Sequence, residues 1–294
     1  MNPITYSFII PHHNTPNLLK RCIDSIPQRE DIEIIVADDN SQDNKKANIE
    51  RSDVKIIYID KEHTQGAGHA RNVAMAAAKG TWLLFADADD YYTKGFLSIL
   101  DKYAHSEDDV IYYNASSVYS DSSLPAGRTK LLNAIIENFD NSEDSIAAIK
   151  YRVHTPWNKM VKHEFIIKNQ IVFEEVLQGN DTMFSFMLGY FVNNFGIEKE
   201  KLYVYTYTEN SITSGKMNSN KHLCGWKNYF KKKSFLTFVG KKEWNLSLPV
   251  RLYRMYKSKS LKEAMTSIKI LIANYSNIMR EKDKYVKICL RHEI

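Results

Sequence analysis

The stretch Thr81-Trp-Leu-Leu-Phe-Ala-Asp-Ala-Asp-Asp90 decides how the rest of the chain is read. Trp82 to Ala86 is an unbroken apolar run just after Gly80, and three carboxylates (Asp87, Asp89 and Asp90) arrive within four positions where it stops. A short apolar run bounded by a turn residue predicts a strand buried on both faces, as in a parallel sheet. Ligands of open α/β sheets bind in the crevice outside the carboxyl ends of such strands. Three acids crowded there repel one another and lose hydration, so the arrangement calls for a compensating cation. Carboxylate oxygens suit a hard divalent ion, Mg²⁺ or Mn²⁺, with bound phosphates. Asp is also a frequent turn residue, so a plain acidic strand-to-loop turn is the competing reading.

Working outward, the same pattern recurs. Ser7-Phe-Ile-Ile-Pro11 reads as a short strand stopped by Pro11, with His12-His13-Asn14 at its carboxyl end. Leu18, Leu19, Cys22, Ile23 and Ile26 recur at helical spacing from Asn17. Ile32 to Ala37 predicts a second strand closed by Asp38-Asp-Asn-Ser41, and Val54 to Ile59 a third ending at Asp60. The Ala-rich stretch from Gly68 to Lys79 reads as a helix stopped by Gly80. Strands alternating with helices predict a parallel α/β sheet. Several polar strand ends then line one crevice, and convergence on one edge favours a site over a chance turn. Tyr112 to Gly127 predicts a strand and then a polar loop; Tyr203 to Thr208 alternates like a late strand.

These residues resemble the motifs of the family 2 glycosyltransferases. Phe8-Ile-Ile-Pro-His-His-Asn14 is similar to the family's opening strand, and Val36-Ala-Asp-Asp-Asn-Ser-Gln-Asp43 to its second-strand acidic motif. Gly66-Ala-Gly-His-Ala-Arg-Asn72, Ala78-Lys-Gly80 and the following acids resemble its arginine-bearing helix and Asp-x-Asp. Trp157-Asn-Lys159 and Asn180-Asp-Thr-Met-Phe184 resemble its acceptor-side segment and general-base motif. Each match alone is weak, but five in the family's order, over roughly residues 5 to 215, are specific. The resemblance implies a GT-A type, Rossmann-like, mostly parallel sheet flanked by helices, and transfer with inversion at the sugar.

It also implies roles. Asp89 would bind an Mn²⁺ or Mg²⁺ that bridges the donor's phosphates, a Lewis-acid role. Asp87 would contact the ribose or the metal's water shell, with Ala88 between the two. Asp39, with Asp38 beside it, would meet the base edge; Pro11, His13 and Asn14 would line the base pocket. Arg71 would approach the base or a phosphate, which its planar fork suits. His13 stands where the family more often has Tyr. Asp181 would take the acceptor hydroxyl's proton, as inverting transfer requires of one carboxylate; no second carboxylate nucleophile is needed. Asn180 replaces the family's usual Glu there. Trp157, Lys159 and Asn180 fall on the acceptor side. Asn180 or Asp181 could equally cap a helix over Thr182 to Leu188. Ser211, Thr213 and Lys216 could close over the phosphates, and a plain turn fits them equally well.

Other chemistries find less support. Gly66-Ala-Gly-His-Ala-Arg71 lacks the third glycine of a dinucleotide fingerprint and follows a polar stretch. No Gly-x-x-x-x-Gly-Lys-Ser/Thr loop occurs, and the nine His show no zinc-ligand spacing. At 294 residues, 44% hydrophobic and 26% charged, the composition is that of an ordinary globular protein with one sizeable core. No apolar run approaches the ~20 residues of a bilayer span, and no signal peptide opens the sequence. Three cysteines (Cys22, Cys224 and Cys289), odd in number and widely spaced without a metal-ligand pattern, suit a reduced, cytoplasmic setting.

Charge is divided unevenly. Residues 1–214 hold 21 Lys+Arg against 30 Asp+Glu, a balance of −9, while 215–294 hold 19 against 5, a balance of +14. Together with the resemblance, which implies a catalytic domain with a nucleotide-sugar half and an acceptor half, the expected division is a catalytic domain at 1–214, its halves at 1–110 and 111–214. A basic helical region follows at 215–294. Leu246 to Tyr256 and Leu261 to Ile278 read as amphipathic helices with interleaved aromatics. Such helices either lie on the anionic inner face of the cytoplasmic membrane or pack on the core with a solvated basic face. No motif supports nucleic-acid binding. The expected activity is metal-dependent transfer from a nucleoside-diphosphate sugar, taken as UDP-linked, to a hydroxyl of a saccharide or lipid-linked saccharide. This is an EC 2.4 reaction, placed by the resemblance in bacterial surface polysaccharide assembly. A catalytically silent donor-binding subunit and a nucleotidyltransferase are the alternatives.

Overall fold

The computed structural model describes residues 3–63, 66–176, 178–208, 218–258 and 260–292; Ser211, Thr213 and Lys216 lie outside them. The first half alternates β1 (Tyr6–His12), α1 (Pro16–Asp24), β2 (Ile32–Asp39), β3 (Val54–Ile59), α2 (Ala67–Ala76), β4 (Trp82–Phe85), β5 (Tyr91–Tyr92) and α3 (Phe96–Leu100). It continues with β6 (Val110–Tyr119), α4 (Lys130–Glu137), α5 (Glu143–Arg152), β7 (Lys159–Lys162), α6 (His163–Lys168), α7 (Asn180–Phe191) and β8 (Phe195–Tyr207). Helices α8 (Ser219–Phe238), α9 (Leu248–Ser258), α10 (Leu261–Ala273), α11 (Tyr275–Glu281) and α12 (Lys284–His292) complete the described chain.

The strands form one eight-stranded sheet in the order β3-β2-β1-β4-β7-β6-β8-β5. The first four run parallel, but β7 runs antiparallel to both β4 and β6, and β5 antiparallel to β8. The sheet is therefore parallel in its N-terminal half and mixed beyond it. β1, β2 and β4 are buried on both faces, which explains their unbroken apolar runs. Ile9, Ile35, Leu83 and Phe85 enter one apolar layer beneath α2 and α7; Phe8, Ile10, Ile34, Val36, Trp82 and Leu84 enter the other, with α1 and α3.

Two sequence expectations change. Pro11 does not stop β1: the strand runs on through His12, paired with β2 at Pro11↔Ala37 and His12↔Asp38. Pairing with β4 has ended at Ile9↔Phe85, so Pro11 has a neighbour on one side only, which accommodates its missing N–H. The single helix expected over Leu261 to Ile278 divides at Asn274, whose backbone and side-chain N–H groups both turn back to the Ile270 carbonyl.

The C-terminal helices share the core with the sheet. Phe235 and Leu236 of α8 and Tyr285 and Cys289 of α12 join the layer that holds Phe186 and Met187 of α7. Farther along α8, Trp226 and Tyr229 pack with Ile278 of α11. Among the described residues no helix is long and apolar enough to cross a membrane.

Candidate active site

The carboxyl ends of β1, β2 and β4 meet at one edge, where polar residues replace the apolar runs. His12 and Asp38, both buried, pair at 2.9 Å from adjacent strand ends. Asp38 also accepts the backbone N–H groups of Ser41 (2.9 Å) and Ala47 (2.7 Å). Burial raises its pKa, but these hydrogen bonds outweigh that and hold it below the usual carboxylate range. Asp38 is thus committed to shaping the turn after β2, and only Asp39 of the expected pair has a carboxylate atom to offer. Asp39 Oδ2 accepts from the Gly66 N–H at 3.0 Å, while its buried Oδ1 has no partner among the described residues.

His13 is fixed from both sides. Its Nδ1 is 2.7 Å from the Asp39 carbonyl, and its Nε2 is 2.7 Å from the Asn14 side-chain amide. A neutral ring protonated on Nδ1 satisfies both bonds. Asn14, in the left-handed region (φ 58°), accepts from the Gln42 N–H at 2.8 Å. The ring is exposed beside Asp39, and Pro11 lies buried below.

The three acids after β4 have different tasks. Asp90 is wholly buried and takes no part in the crevice: it accepts from the Tyr203 hydroxyl (2.8 Å) and the Thr206 N–H (2.6 Å), anchoring β8. Tyr203 also accepts the Asp87 N–H at 2.9 Å. The Asp89 carbonyl accepts from Arg21 of α1. These bonds turn Asp87-Ala88-Asp89 outward, with Ala88 buried beneath. Burial, reinforced by the charge of Asp87, pushes Asp89 up to about 6. Trp157, nearly buried, stacks on Tyr203 (4.9 Å, 8°) and on Tyr205 (5.9 Å, 16°), giving the crevice an aromatic wall.

Arg71 joins the two halves of the site. From α2 its guanidinium donates to Asp87 at the end of β4 and, at 2.9 Å, to the side-chain oxygen of Asn180 at the start of α7. This close approach requires Gly68: a β-carbon there would stand 2.0 Å from the Glu174 carbonyl oxygen. Asn180 is the first residue of α7 and the cap is Gly179, so neither Asn180 nor Asp181 serves as the N-cap. Asp181 in the first turn feels Arg71, Asp87 and Lys159. Burial raises its pKa, Arg71 opposes the rise and Asp87 adds to it. Lys159 is fully buried, donating to the carbonyls of Val153 (3.1 Å) and Thr155, so it braces the segment before β7 rather than facing the crevice. Burial lowers its pKa to about 7, against the pull of Asp181.

Residues 7–171 match the sequence model described as Glycosyl transferase family 2. The chain belongs to that family. The glycosyltransferases EpsH and EpsJ of Bacillus subtilis are each 26% identical, over 70% of this chain and 62% of their own length. The cholesterol galactosyltransferase of Borreliella burgdorferi is 27% identical over 86% of this chain and 80% of its own. Among solved structures, S. aureus TarS 1-349 in complex with UDP-GlcNAc superimposes with a TM-score of 0.65 over 91% of this chain and 80% of that one, at 19% identity. That likeness shows the GT-A fold.

Family 2 chemistry raises the question of a metal. Among the described residues no group of three His, Cys, Asp or Glu is placed to hold an ion. The oxygen-only pair Asp87 and Asp89, the latter raised by burial and then by the charge of Asp87, nevertheless fits Mg²⁺ or Mn²⁺ of the kind bound by one or two carboxylates together with substrate phosphates. Sequence reading missed Tyr203, Arg21 and Gly68 as shapers of the site. Gly68, inside an Ala-rich helix, carried a signal of close approach; the other two carried none.

Proposed function

We propose that this family 2 protein transfers a sugar from a nucleoside-diphosphate donor to a hydroxyl acceptor with inversion. The observation that carries the proposal is the Arg71 fork, which draws Asp87 and Asn180 together and so sets Asp89 and Asp181 on one crevice. The unpartnered Oδ1 of Asp39, beside the fixed ring of His13, offers an acceptor for a base N–H, which favours a uracil edge. TarS, solved with UDP-GlcNAc, lends support to a UDP-linked donor. Asp181 takes the acceptor proton; its raised pKa makes it a stronger base than an ordinary carboxylate. Tyr205, backed by the stacked Trp157, offers a flat aromatic surface to an acceptor sugar ring. A divalent cation held by Asp89, with Asp87 alongside, would supply Lewis-acid stabilisation of the departing diphosphate.

A lipid-linked saccharide is the favoured acceptor. One relative, 36% identical over 34% of this chain, is the Campylobacter jejuni GalNAc(5)-diNAcBac-PP-undecaprenol beta-1,3-glucosyltransferase. The outer faces of α9–α11 carry exposed Tyr253, Tyr256 and Ile272 among Arg254, Lys257, Lys262 and Lys269, a composition suited to an anionic leaflet. The catalytic reading is tested by a thermal-shift screen of nucleotide sugars with and without Mn²⁺, followed by Asp181→Asn. The variant should keep donor binding and lose transfer by about 10²-fold or more. Intact transfer in Asp181→Asn would remove the base role.

A further inference from the structure

Helix α8 reaches from the basic region to the turn that delivers Asp181. The Asn228 side-chain amide donates to the carbonyls of Gln178 (2.9 Å) and Gly179 (3.3 Å). Gly179 is left-handed (φ 71°), and a β-carbon there would stand 2.1 Å from Asn228 Nδ2. The glycine therefore makes the turn and also admits the amide. Three positions on, and so on the same face of α8, Lys231 forms a buried ion pair with Glu174 at 2.5 Å. The Glu174 N–H donates to the Asn180 carbonyl at 3.3 Å, and its own carbonyl is the atom against which Gly68 rests. One helix thus ties down both flanks of the turn into α7.

We propose that Asn228 and Lys231 are positioning residues for Asp181, so that α8 belongs to the catalytic apparatus without touching a substrate. The proposal rests on the reading of Asp181 as the proton acceptor. A base must stand within hydrogen-bond reach of the proton it removes, and displacement by about 1 Å can cost about 10²-fold in rate. Gly179 has no side chain to hold the turn, and the carbonyls of Gln178 and Gly179 precede the helix. The Asn228 amide fixes these carbonyls from outside. Removing it frees the first turn of α7 to shift, while Asp39, His13 and Asp89 stay in place on the sheet.

Asn228→Ala in the full chain, assayed with the nucleotide sugar that gives the largest thermal shift, should lower kcat about tenfold. The donor KM and the affinity for UDP alone should stay within about twofold of wild type, because the broken contact lies on the proton-accepting side. In an Asp181→Asn background the same change should add nothing, since an absent base cannot be misplaced. Lys231→Met should behave like Asn228→Ala, and Lys231→Arg, which keeps a cation for Glu174, should recover part of the loss. Asn228→Ser, a milder change, should fall between wild type and Ala. An unchanged kcat with lowered thermal stability would overturn the proposal by reducing the contact to packing. A further tenfold loss in the Asp181→Asn background would overturn it too, because the effect would not pass through Asp181. Full transfer by Asp181→Asn itself would instead fail the parent reading, and the proposal with it.

Discussion

The crevice edge and the C-terminal helices treat charge in opposite ways. At the edge, acids are brought together and left partly uncompensated: Asp89 is raised to about 6 beside Asp87, and Asp39 keeps an unpartnered buried oxygen. Along α8 a buried cation is matched, Lys231 pairing with Glu174 at 2.5 Å. Unmatched acid suits a surface completed by a ligand's cation and hydrogen-bond donors, whereas matched charge holds a scaffold. Beyond both lies the outer face of α9–α11, where cations and apolar side chains stand together in solvent.

The sharpest way to break this contrast is at the edge. Asp89→Ala removes the carboxylate proposed to hold the cation, and the loss of several kcal/mol of charge stabilisation should cut turnover by about 10²-fold or more. Mn²⁺ should no longer raise donor affinity, while circular dichroism stays native. Unchanged Mn²⁺ stimulation would remove the unmatched edge from the mechanism.

A smaller effect is expected where the sheet domain meets α8. His154 is partly buried, and Lys232 of α8 donates to its Nε2 at 3.1 Å. Burial, with the charges of Lys232, Lys159 and Arg152, lowers its pKa to about 3. The folded ring therefore stays neutral at pH values where the unfolded ring, with a pKa near 6.5, binds a proton. Between about pH 6.5 and 3 the unfolded state holds more protons, so stability rises with pH and is lost on acidification. At pH 4 this loss would reach about 3 kcal/mol. Urea midpoints at pH 7 and pH 4 should fall less for His154→Phe than for wild type; equal falls would show that the ring is not held neutral.

The outer face should show the smallest effects. Each cation near an anionic leaflet contributes about 1 kcal/mol, screened within a Debye length. Lys262→Glu with Lys269→Glu should weaken co-sedimentation with anionic liposomes at low salt and leave transfer to a soluble acceptor unchanged. Equal partitioning of wild type to neutral and anionic vesicles would return this face to plain solvation.

Legibility from the sequence followed the same division. β3 begins and ends where the sequence reading placed it, and β4, buried on both faces and so written as an unbroken apolar run, closes one residue before that run ends. Asp90 was not separable from Asp87 and Asp89, since its partners Tyr203 and Thr206 lie more than a hundred residues away. β8 begins eight residues before the alternation at Tyr203, hidden by Glu198, Lys199, Glu200 and Lys201, most of them exposed. The amphipathic pattern of 246–278 gave helices but not the break at Asn274, which depends on one side chain folding back on its own turn. Lys159 followed the family motif to the right neighbourhood, yet its contacts are with carbonyls that no motif contains.

The reversed direction of β7 has an evolutionary consequence. Residues 12–14, 38–41 and 87–89 reach the crevice as the chain leaves the sheet, whereas 153–158 reach it as the chain returns. The wall proposed to hold the donor is therefore locked to three parallel registers, and an insertion there would displace a helix on the far side. The opposite wall hangs between α5 and an antiparallel strand only four residues long, so its length can drift without moving β1, β2 or β4. On the roles proposed above, a lineage built on this frame exchanges acceptors by rewriting one short segment while its donor site is inherited unchanged.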